Sequence, residues 1–93
     1  MNIEQANEEK KGCFKAIEDD KEAGIMTYVW AGPSKIIIDH TEVGPDFSGK
    51  GVGKKLVLEA VKYARDTKIK ILPLCPFAKS VFDKNPDLQD VLF

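Results

Sequence analysis

The chain has 93 residues, an apolar fraction of 43% and a formal net charge of −1, which predict a single domain over residues 1–93 with one modest core. A net charge so close to zero argues against a nucleic-acid partner, because binding a phosphate backbone requires a strong basic excess. The sequence has no long apolar run, no signal-peptide pattern and no metal motif around its two cysteines, so we expect a reduced, cytoplasmic protein without a metal or a membrane partner.

The first half of the chain predicts an antiparallel meander. Residues 1–11 are polar and charge-rich, and they indicate either a frayed end or a short edge strand. Three segments rich in apolar and β-branched residues follow, joined by connections too short for a crossover. The predicted strands are residues 13–18, 24–30 and 35–43.

Simple alternation along the third predicted strand assigns its side chains to two faces. It places His40 and Glu42 on the same face as Ile38, and it places Thr41 and Val43 on the opposite face. The strand therefore brings His40 and Glu42 to one side of the sheet, a few residues before its end.

The second half of the chain changes to a helical period. Apolar residues recur at helical spacing over residues 51–66, and a short apolar strand follows at 69–74. This order of strand, helix and strand predicts a right-handed parallel βαβ unit. A second helix is predicted over 76–84, and a last helical turn over 87–92. The expected fold is thus α/β (α+β): a meander, a βαβ unit and a short C-terminal helix.

A glycine-rich loop, residues 48–53, joins the third strand to the first helix. Such a loop can converge backbone N–H groups on an anion, and the helix dipole favours negative charge there. Lys50, Lys54 and Lys55 would be unfavourable at the positive end of a dipole unless an anion compensates them. The glycine spacing fits neither the dinucleotide fingerprint nor the nucleotide-triphosphate loop. The pattern predicts a site for a phosphorylated ligand, with a solvated helix start as the alternative.

Pro73 lies within an apolar strand although it has no N–H to donate to a ladder. It marks either an edge strand or a place where neighbouring strands separate. If the strands separate, the backbone of residues 41–43 is free to bind an extended ligand.

Three side chains near the predicted site could carry chemistry. Cys75 precedes Pro76 and is predicted to be a helix N-cap, where the dipole lowers the pKa of a thiol. It is a candidate nucleophile, and a small buried residue is the alternative. His40 or Glu42 could act as a general base, although a lone histidine is more often structural.

Taken together, these motifs resemble the GNAT N-acetyltransferases. Their acetyl-CoA-binding motif is Gln/Arg-x-x-Gly-x-Gly/Ala, and Gly51 and Gly53 match its glycines after a strand that ends at Val43. Ser48 stands where the family has Gln or Arg, so one side-chain contact differs while the backbone cradle is retained. Segments 39–43, 74–77 and 85–87 are similar to a minimal subgroup of about this length, the YjdJ-type GNAT-like proteins.

The resemblance implies an acetyltransferase that transfers acetyl from acetyl-CoA to a primary amine, such as a protein lysine or N-terminus. It implies that the backbone of Thr41, Glu42 and Val43 binds the pantetheine arm and that Cys75 lies near the thioester. The loop would hold the pyrophosphate, and residues of the second helix would border the pantetheine and nucleotide. The implied loop residues are Ser48, Gly49, Lys50, Gly51, Val52, Gly53 and Lys54, and those of the helix are Lys79 and Phe82.

Two routes and one alternative function follow. The amine attacks the thioester directly, or Cys75 takes the acetyl group first; His40 or Glu42 accepts the proton, and a backbone N–H near Val43 polarises the carbonyl. The substrate-binding helices of larger members are missing, which supports the alternative of a non-catalytic CoA- or acyl-CoA-binding module or a subunit of a complex. We expect a monomer or a weak dimer.

Overall fold

The computed structural model describes residues 1–93 and contains one five-stranded sheet in the order β1-β2-β3-β4-β5. The first four strands pair antiparallel in succession, and the fifth pairs parallel with the fourth. The strands are β1 (Asn2–Asn7), β2 (Lys11–Glu18), β3 (Lys21–Trp30), β4 (Lys35–Val43) and β5 (Lys70–Pro73). The polar N-terminal segment is therefore an edge strand.

Two α-helices follow the meander: α1 (Val52–Thr67) connects β4 to β5, and α2 (Pro76–Lys84) follows β5. Short 3₁₀ helices lie at Pro45–Phe47 and Pro86–Val91. The predicted α+β fold, a meander followed by a βαβ unit and a C-terminal helix, is confirmed. Neither α-helix has the length and apolar character that crossing a bilayer would require.

β3 begins three residues earlier than predicted because the turn before it is tighter than expected. Asp19 and Asp20 both adopt positive φ, 50° and 64°, and they form the two-residue connection of a hairpin. Aspartate tolerates this conformation better than most residues, so two residues are enough for the turn. A prediction that assigns four polar residues to the turn therefore underestimates the length of β3.

The core lies on one face of the sheet, where both helices pack. Strand residues such as Phe14, Met26, Tyr28 and Ile38 are fully buried there. The opposite face, which we call the outer face, carries half-buried or exposed side chains, among them Thr27. No helix of the chain covers the outer face, so its side chains are open to a partner.

A β-bulge interrupts the pairing of β3 with β4. Thr27 pairs with His40, but the next residue, Tyr28, pairs with Ile38, so Asp39 is an extra residue on β4. The hydroxyl of Thr27 donates to Asp39 Oδ1 at 2.6 Å and ties the extra residue to the neighbouring strand.

The bulge inverts the alternation of side chains along the rest of β4. Thr41 and Val43 lie on the helix side together with Ile38, whereas His40 and Glu42 lie on the outer face. Their side chains are 64% and 73% exposed, respectively. The predicted placement of His40 and Glu42 on the face of Ile38 is wrong, because simple alternation does not hold across a bulge.

β4 and β5 separate after a short parallel ladder. Ile38 and Pro73 form the last register pair, and the N–H groups of Leu74 and Cys75 both donate to the carbonyl of Ile38 at 3.0 Å. β4 continues to Val43 without a strand beside it on that edge. We call this opening, beside residues 39–43, the strand gap.

Pro73 fits both of its predicted interpretations. It ends the ladder at the strand gap, and it also lies on an edge strand. Two residues earlier, the carbonyl of Ile71 accepts a hydrogen bond from the N–H of Phe93 on the side of β5 away from β4. Backbone groups two residues apart in a strand point to the same side, so the nitrogen of Pro73 also faces away from β4. Its missing N–H therefore costs no hydrogen bond between β4 and β5.

Candidate functional site

A groove of about 740 Å³ lies beside the strand gap on the helix side of the sheet. Its walls are the end of β4, the loop that follows, the first turn of α1 and one side of α2. We call it the main groove. Eight of the predicted binding residues line it: Thr41, Val43, Ser48, Gly49, Gly51, Val52, Gly53 and Lys54.

The loop is shaped by glycines with left-handed backbone conformations. Gly49 and Gly51 have φ of 80° and 74°, and Gly51 caps the N-terminus of α1. A Cβ at either position would meet no atom within 4 Å, so conformation rather than space selects glycine there. The missing side chains leave the backbone of the loop accessible from the main groove.

The first turn of α1 offers uncommitted donors to the main groove. The N–H of Lys55 donates to the carbonyl of Gly51 at 3.0 Å, so the N–H groups of Val52, Gly53 and Lys54 have no partner within the helix. The first turn contains no acidic residue, and no carboxylate lines the main groove. This end of the groove is therefore suited to an anion.

Close packing of Gly53 against Phe77 joins the two helices at the groove. A Cβ at Gly53 would lie 2.5 Å from two atoms of the Phe77 ring. A side chain at 53 would therefore displace the tip of the Phe77 ring, whereas at 49 and 51 nothing lies close enough to be displaced. Phe77, which is 42% exposed, forms part of the groove wall.

The edge of β4 supplies backbone donors to the strand gap. The N–H of Gly44 donates to Ala23 on β3, so alternation directs the N–H of Val43 to the opposite edge, where β5 has ended. The N–H of Thr41 faces the same way, towards the sulfur of Cys75. The N–H of Val43 is therefore the backbone donor that the strand gap leaves open.

Cys75 is the N-cap of α2 and is 6% exposed. Its thiol donates to Thr41 Oγ1 at 3.5 Å. Burial raises the pKa of the thiol, but the Thr41 hydroxyl and the nearby N–H groups of Phe77 and Ala78 at the start of α2 stabilise the thiolate and outweigh it, so the pKa is lowered overall. Cys75 does not line the main groove itself, although its partner Thr41 does.

His40 and Glu42 lie on the far side of the strand gap from the main groove. Nε2 of His40 is 3.9 Å from Oε2 of Glu42, and both side chains extend into solvent on the outer face. A proton acceptor on this face can serve an amine that approaches the gap from outside. The structure thus separates the two candidate bases from the anion-binding end of the site.

A model of the family described as GCN5-related N-acetyl-transferase matches residues 13–91. The chain belongs to this family. As a GNAT-family member it is an acyltransferase that uses acetyl-CoA, and the fold and the glycine loop agree with that membership. Among curated proteins, none matches the sequence.

Solved structures show the same fold. A GCN5-like protein from Staphylococcus aureus, solved by NMR in solution, is 35% identical over 99% of this chain and 89% of its own, with a TM-score of 0.73. The ribosomal-protein-alanine N-acetyltransferase from Brucella melitensis biovar Abortus 2308 is 17% identical over 84% of this chain, with a TM-score of 0.70, and the chain spans 62% of that enzyme. An aminoglycoside N-acetyltransferase in complex with CoA is 13% identical over 89% of this chain and 88% of its own, with a TM-score of 0.65.

Three residues that were expected to bind the ligand, Lys50, Lys79 and Phe82, do not line the main groove. The Nζ atom of Lys50 lies 5.5 Å from the centroid of the Phe47 ring, and Lys79 pairs with Asp83 at 3.4 Å on the surface of α2. Phe82 is 1% exposed and lies in the core rather than at the groove surface.

Sequence reasoning missed most of the wall formed by α2. The missed side chains recur at helical spacing along α2, which places them on one face beside the groove, and this periodicity was the signal that could have identified them. Lys84 adds a second cation, after Lys54, to the lining of the main groove. The additional lining residues are Phe47, Phe77, Ser80, Val81, Lys84 and Asn85.

Proposed function

We propose that the protein transfers the acetyl group of acetyl-CoA to a primary amine by direct attack of the amine. The observation that supports this proposal best is that the main groove adjoins the strand gap. Free N–H groups at the start of α1 lie at one end of this path, and the open N–H of Val43 lies at the other.

The main groove fits the parts of CoA in a fixed direction. We assign the pyrophosphate to the N–H groups of Val52, Gly53 and Lys54, because these donors converge at the positive end of a helix dipole. The pantetheine arm would follow the edge of β4, as an extended ligand that replaces the missing neighbouring strand, and it would bring its acyl end within reach of the N–H of Val43. Its thioester would then lie in the strand gap.

The chemistry that acetyl-CoA supplies is an acetyl thioester. The amine nitrogen bonds to the carbonyl carbon, the carbon–sulfur bond breaks, and the sulfur leaves with its electron pair as the CoA thiolate. The N–H of Val43 stabilises the negative charge that develops on the carbonyl oxygen. His40 or Glu42, on the outer side of the gap, accepts the proton that the amine loses.

A second route through an acetyl-cysteine is favoured by the environment of Cys75, whose pKa is lowered next to the strand gap. In that route the Cys75 thiolate takes the acetyl group with departure of the CoA thiolate, and the amine then attacks the new thioester. The variant Cys75→Ala separates the two routes, because direct transfer does not need the thiol. Cys13→Ala is the matched control.

Intact-protein mass spectrometry under native and denaturing conditions tests the proposal. After incubation with acetyl-CoA, we expect a CoA complex that is lost on denaturation, and acetylated product when amines are added. An acetyl adduct that survives denaturation in the wild type and in Cys13→Ala, but not in Cys75→Ala, would favour the second route. Binding without transfer to any amine would indicate the alternative, a CoA-binding module, and absence of binding would refute the assignment of the main groove.

We also propose that the acceptor amine is exposed on a protein, as a lysine or an N-terminus. The outer face next to His40 and Glu42 has no covering element, so a large acceptor can reach the strand gap without steric hindrance. A panel of peptides and small amines under the same conditions tests this step.

A further inference from the structure

The outer face carries a second hollow, of about 270 Å³, which shares no lining residue with the main groove. It crosses the sheet over Ala6, Cys13, Thr27 and Asp39, and we call it the outer trough. We propose that the outer trough binds the side chain of an acceptor lysine and directs its ε-amine to the strand gap. The inference rests on the proposed function, because it names the acceptor of that reaction.

The floor of the outer trough is built from small side chains in register. Ala6 pairs with Cys13 and Cys13 pairs with Thr27, so the three residues lie side by side on β1, β2 and β3. Ile25 and Val29 flank Thr27 on the same face and form the sides. The hollow therefore runs across the strands, and at about 4.8 Å per strand it is long and narrow enough for an unbranched aliphatic chain.

Asp39 lies at the end of the outer trough nearest to the strand gap. The bulge turns this extra residue to the face of Thr27, whose hydroxyl holds its carboxylate at 2.6 Å. The preceding residue, Ile38, is the last of β4 that pairs with β5. A carboxylate is thus fixed at the point where the trough meets the gap, with His40 next to it in the chain.

The charges and surfaces of the outer trough fit a lysine side chain. The carboxylate of Asp39 complements an ammonium group, while Cys13, Ile25 and Val29 offer contacts to methylene groups. Glu8 and Lys11 lie at the opposite end, where their opposite charges offset each other. That end therefore offers no site for a second ammonium group.

A polypeptide is favoured over a free diamine as the source of the amine. The outer face continues beyond the trough as half-buried Ile17 and Ile37, and Leu74 at the edge of the strand gap is 61% exposed. These residues provide apolar contacts for the peptide that carries the lysine.

Titration of the ¹⁵N-labelled full-length protein, followed by NMR, tests the inference without requiring turnover. The ligands are a peptide with one central lysine, the same peptide with norleucine, and 1,5-diaminopentane. We expect the lysine peptide to shift the amide signals of Gly12, Cys13, Thr27 and Asp39, and to bind at least tenfold more tightly than the norleucine peptide. Shifts confined to other residues, equal binding of the two peptides, or binding of the diamine alone would overturn it.

Two variants sharpen the test. Asp39→Asn keeps an oxygen that can accept from Thr27 but removes the charge, and we expect it to weaken lysine-peptide binding at least tenfold. Asp66→Asn on α1 removes an exposed carboxylate elsewhere and should change nothing. Peptide affinity that is unchanged in Asp39→Asn would refute the role of the carboxylate.

Acetyl-CoA affinity, measured separately, distinguishes failure of the inference from failure of the proposed function. Both aspartate variants should bind acetyl-CoA within twofold of the wild type. If the wild type binds and transfers acetyl but the trough amides do not respond to the lysine peptide, the inference fails and the proposed function stands. If the trough responds but acetyl-CoA does not bind, the proposed function fails, and the trough remains a lysine-binding site without a role as the acceptor site.

Discussion

Thr41 and Cys75 face one another across the strand gap, with the hydroxyl oxygen of Thr41 3.5 Å from the sulfur of Cys75. The contact connects the end of β4 to the N-terminus of α2 at the point where the parallel ladder has ended. It also sets the ionisation of the thiol, because both the hydroxyl and the N–H of Thr41 stabilise a negative charge on the sulfur.

Thr41→Val should raise the pKa of Cys75. The substitution keeps a β-branched side chain but removes the hydroxyl that stabilises the thiolate. The effect of burial, which raises the pKa, is then less well compensated. The measurement is a pH titration of the ¹³Cβ signals of cysteine, with Cys13 in the same sample as an internal reference. Thr41→Ser retains the hydroxyl and should leave the pKa near that of the wild type. An equal Cys75 pKa in the wild type and in Thr41→Val would contradict the assignment.

The same pKa shift predicts how stability depends on pH. The folded state lowers the pKa of Cys75 below that of the unfolded chain, so ionised Cys75 favours folding. This contribution is fully present above the unfolded pKa and is lost as the pH falls through the folded pKa. We therefore expect the free energy of unfolding, measured in urea under reducing conditions, to increase in the wild type relative to Cys75→Ala as the pH is raised from 7 to 9.5. A difference that stays constant or shrinks would exclude this linkage.

Gly53→Ala and Gly51→Ala should both be harmful, but for different reasons. The new Cβ at 53 would lie 2.5 Å from the Phe77 ring, and such overpacking costs about 1–3 kcal/mol and displaces the groove wall. At 51 the space is open, and only the positive φ of 74° opposes alanine, at about 1–2 kcal/mol.

The two glycine variants are compared by urea unfolding and by acetyl-CoA affinity. Combining Gly53→Ala with Phe77→Ala should cost less than the sum of the single changes, since the second removes the clash created by the first. Additive costs would show that the ring and the glycine do not constrain each other.

Sequence patterns predicted the bounds of elements well where local residues mark both ends. The third predicted strand and the second helix were placed at residues 35–43 and 76–84, as in the structure, because turn residues and the glycine loop flank the strand and Asn85-Pro86 ends the helix. The polar segment over β1 carries a weak strand signal, and it is ordered by pairing with β2, which is a tertiary contact.

The site was predicted less completely because two of its features depend on contacts across the fold. The bulge at Asp39 depends on the register of β4 against β3 and on the hydrogen bond from Thr27, neither of which alternation encodes. Likewise, Phe77 and Phe82 are both aromatic residues of α2. Helical spacing separates them onto different faces, but the packing of the helix decides which face lines the groove and which fills the core.

Phe82→Ala should therefore mainly lower stability, whereas Phe77→Ala should mainly weaken acetyl-CoA binding. Truncation of the fully buried Phe82 should lower the free energy of unfolding by about 3–5 kcal/mol. Truncation of the half-exposed Phe77 should cost less stability but should weaken acetyl-CoA binding, because it removes part of the groove wall. Chemical denaturation and calorimetric titration measure the two effects. Phe82→Leu, which keeps most of the volume, should bind acetyl-CoA like the wild type, and a specific loss of affinity in that variant would place Phe82 at the ligand.

Lys54→Ala and Lys84→Ala should each weaken acetyl-CoA binding about two- to fivefold at low salt, the range expected for one exposed charge interaction. Both lysines line the main groove, at the start of α1 and the end of α2, where no carboxylate offsets them. Because salt screens exposed charges, the deficit should shrink as the ionic strength is raised from about 0.05 M to 0.5 M. Lys62→Ala, an exposed α1 residue that does not line the groove, is the matched control. Equal losses in all three variants, or a deficit that does not respond to salt, would show that these lysines do not bind the phosphates of CoA.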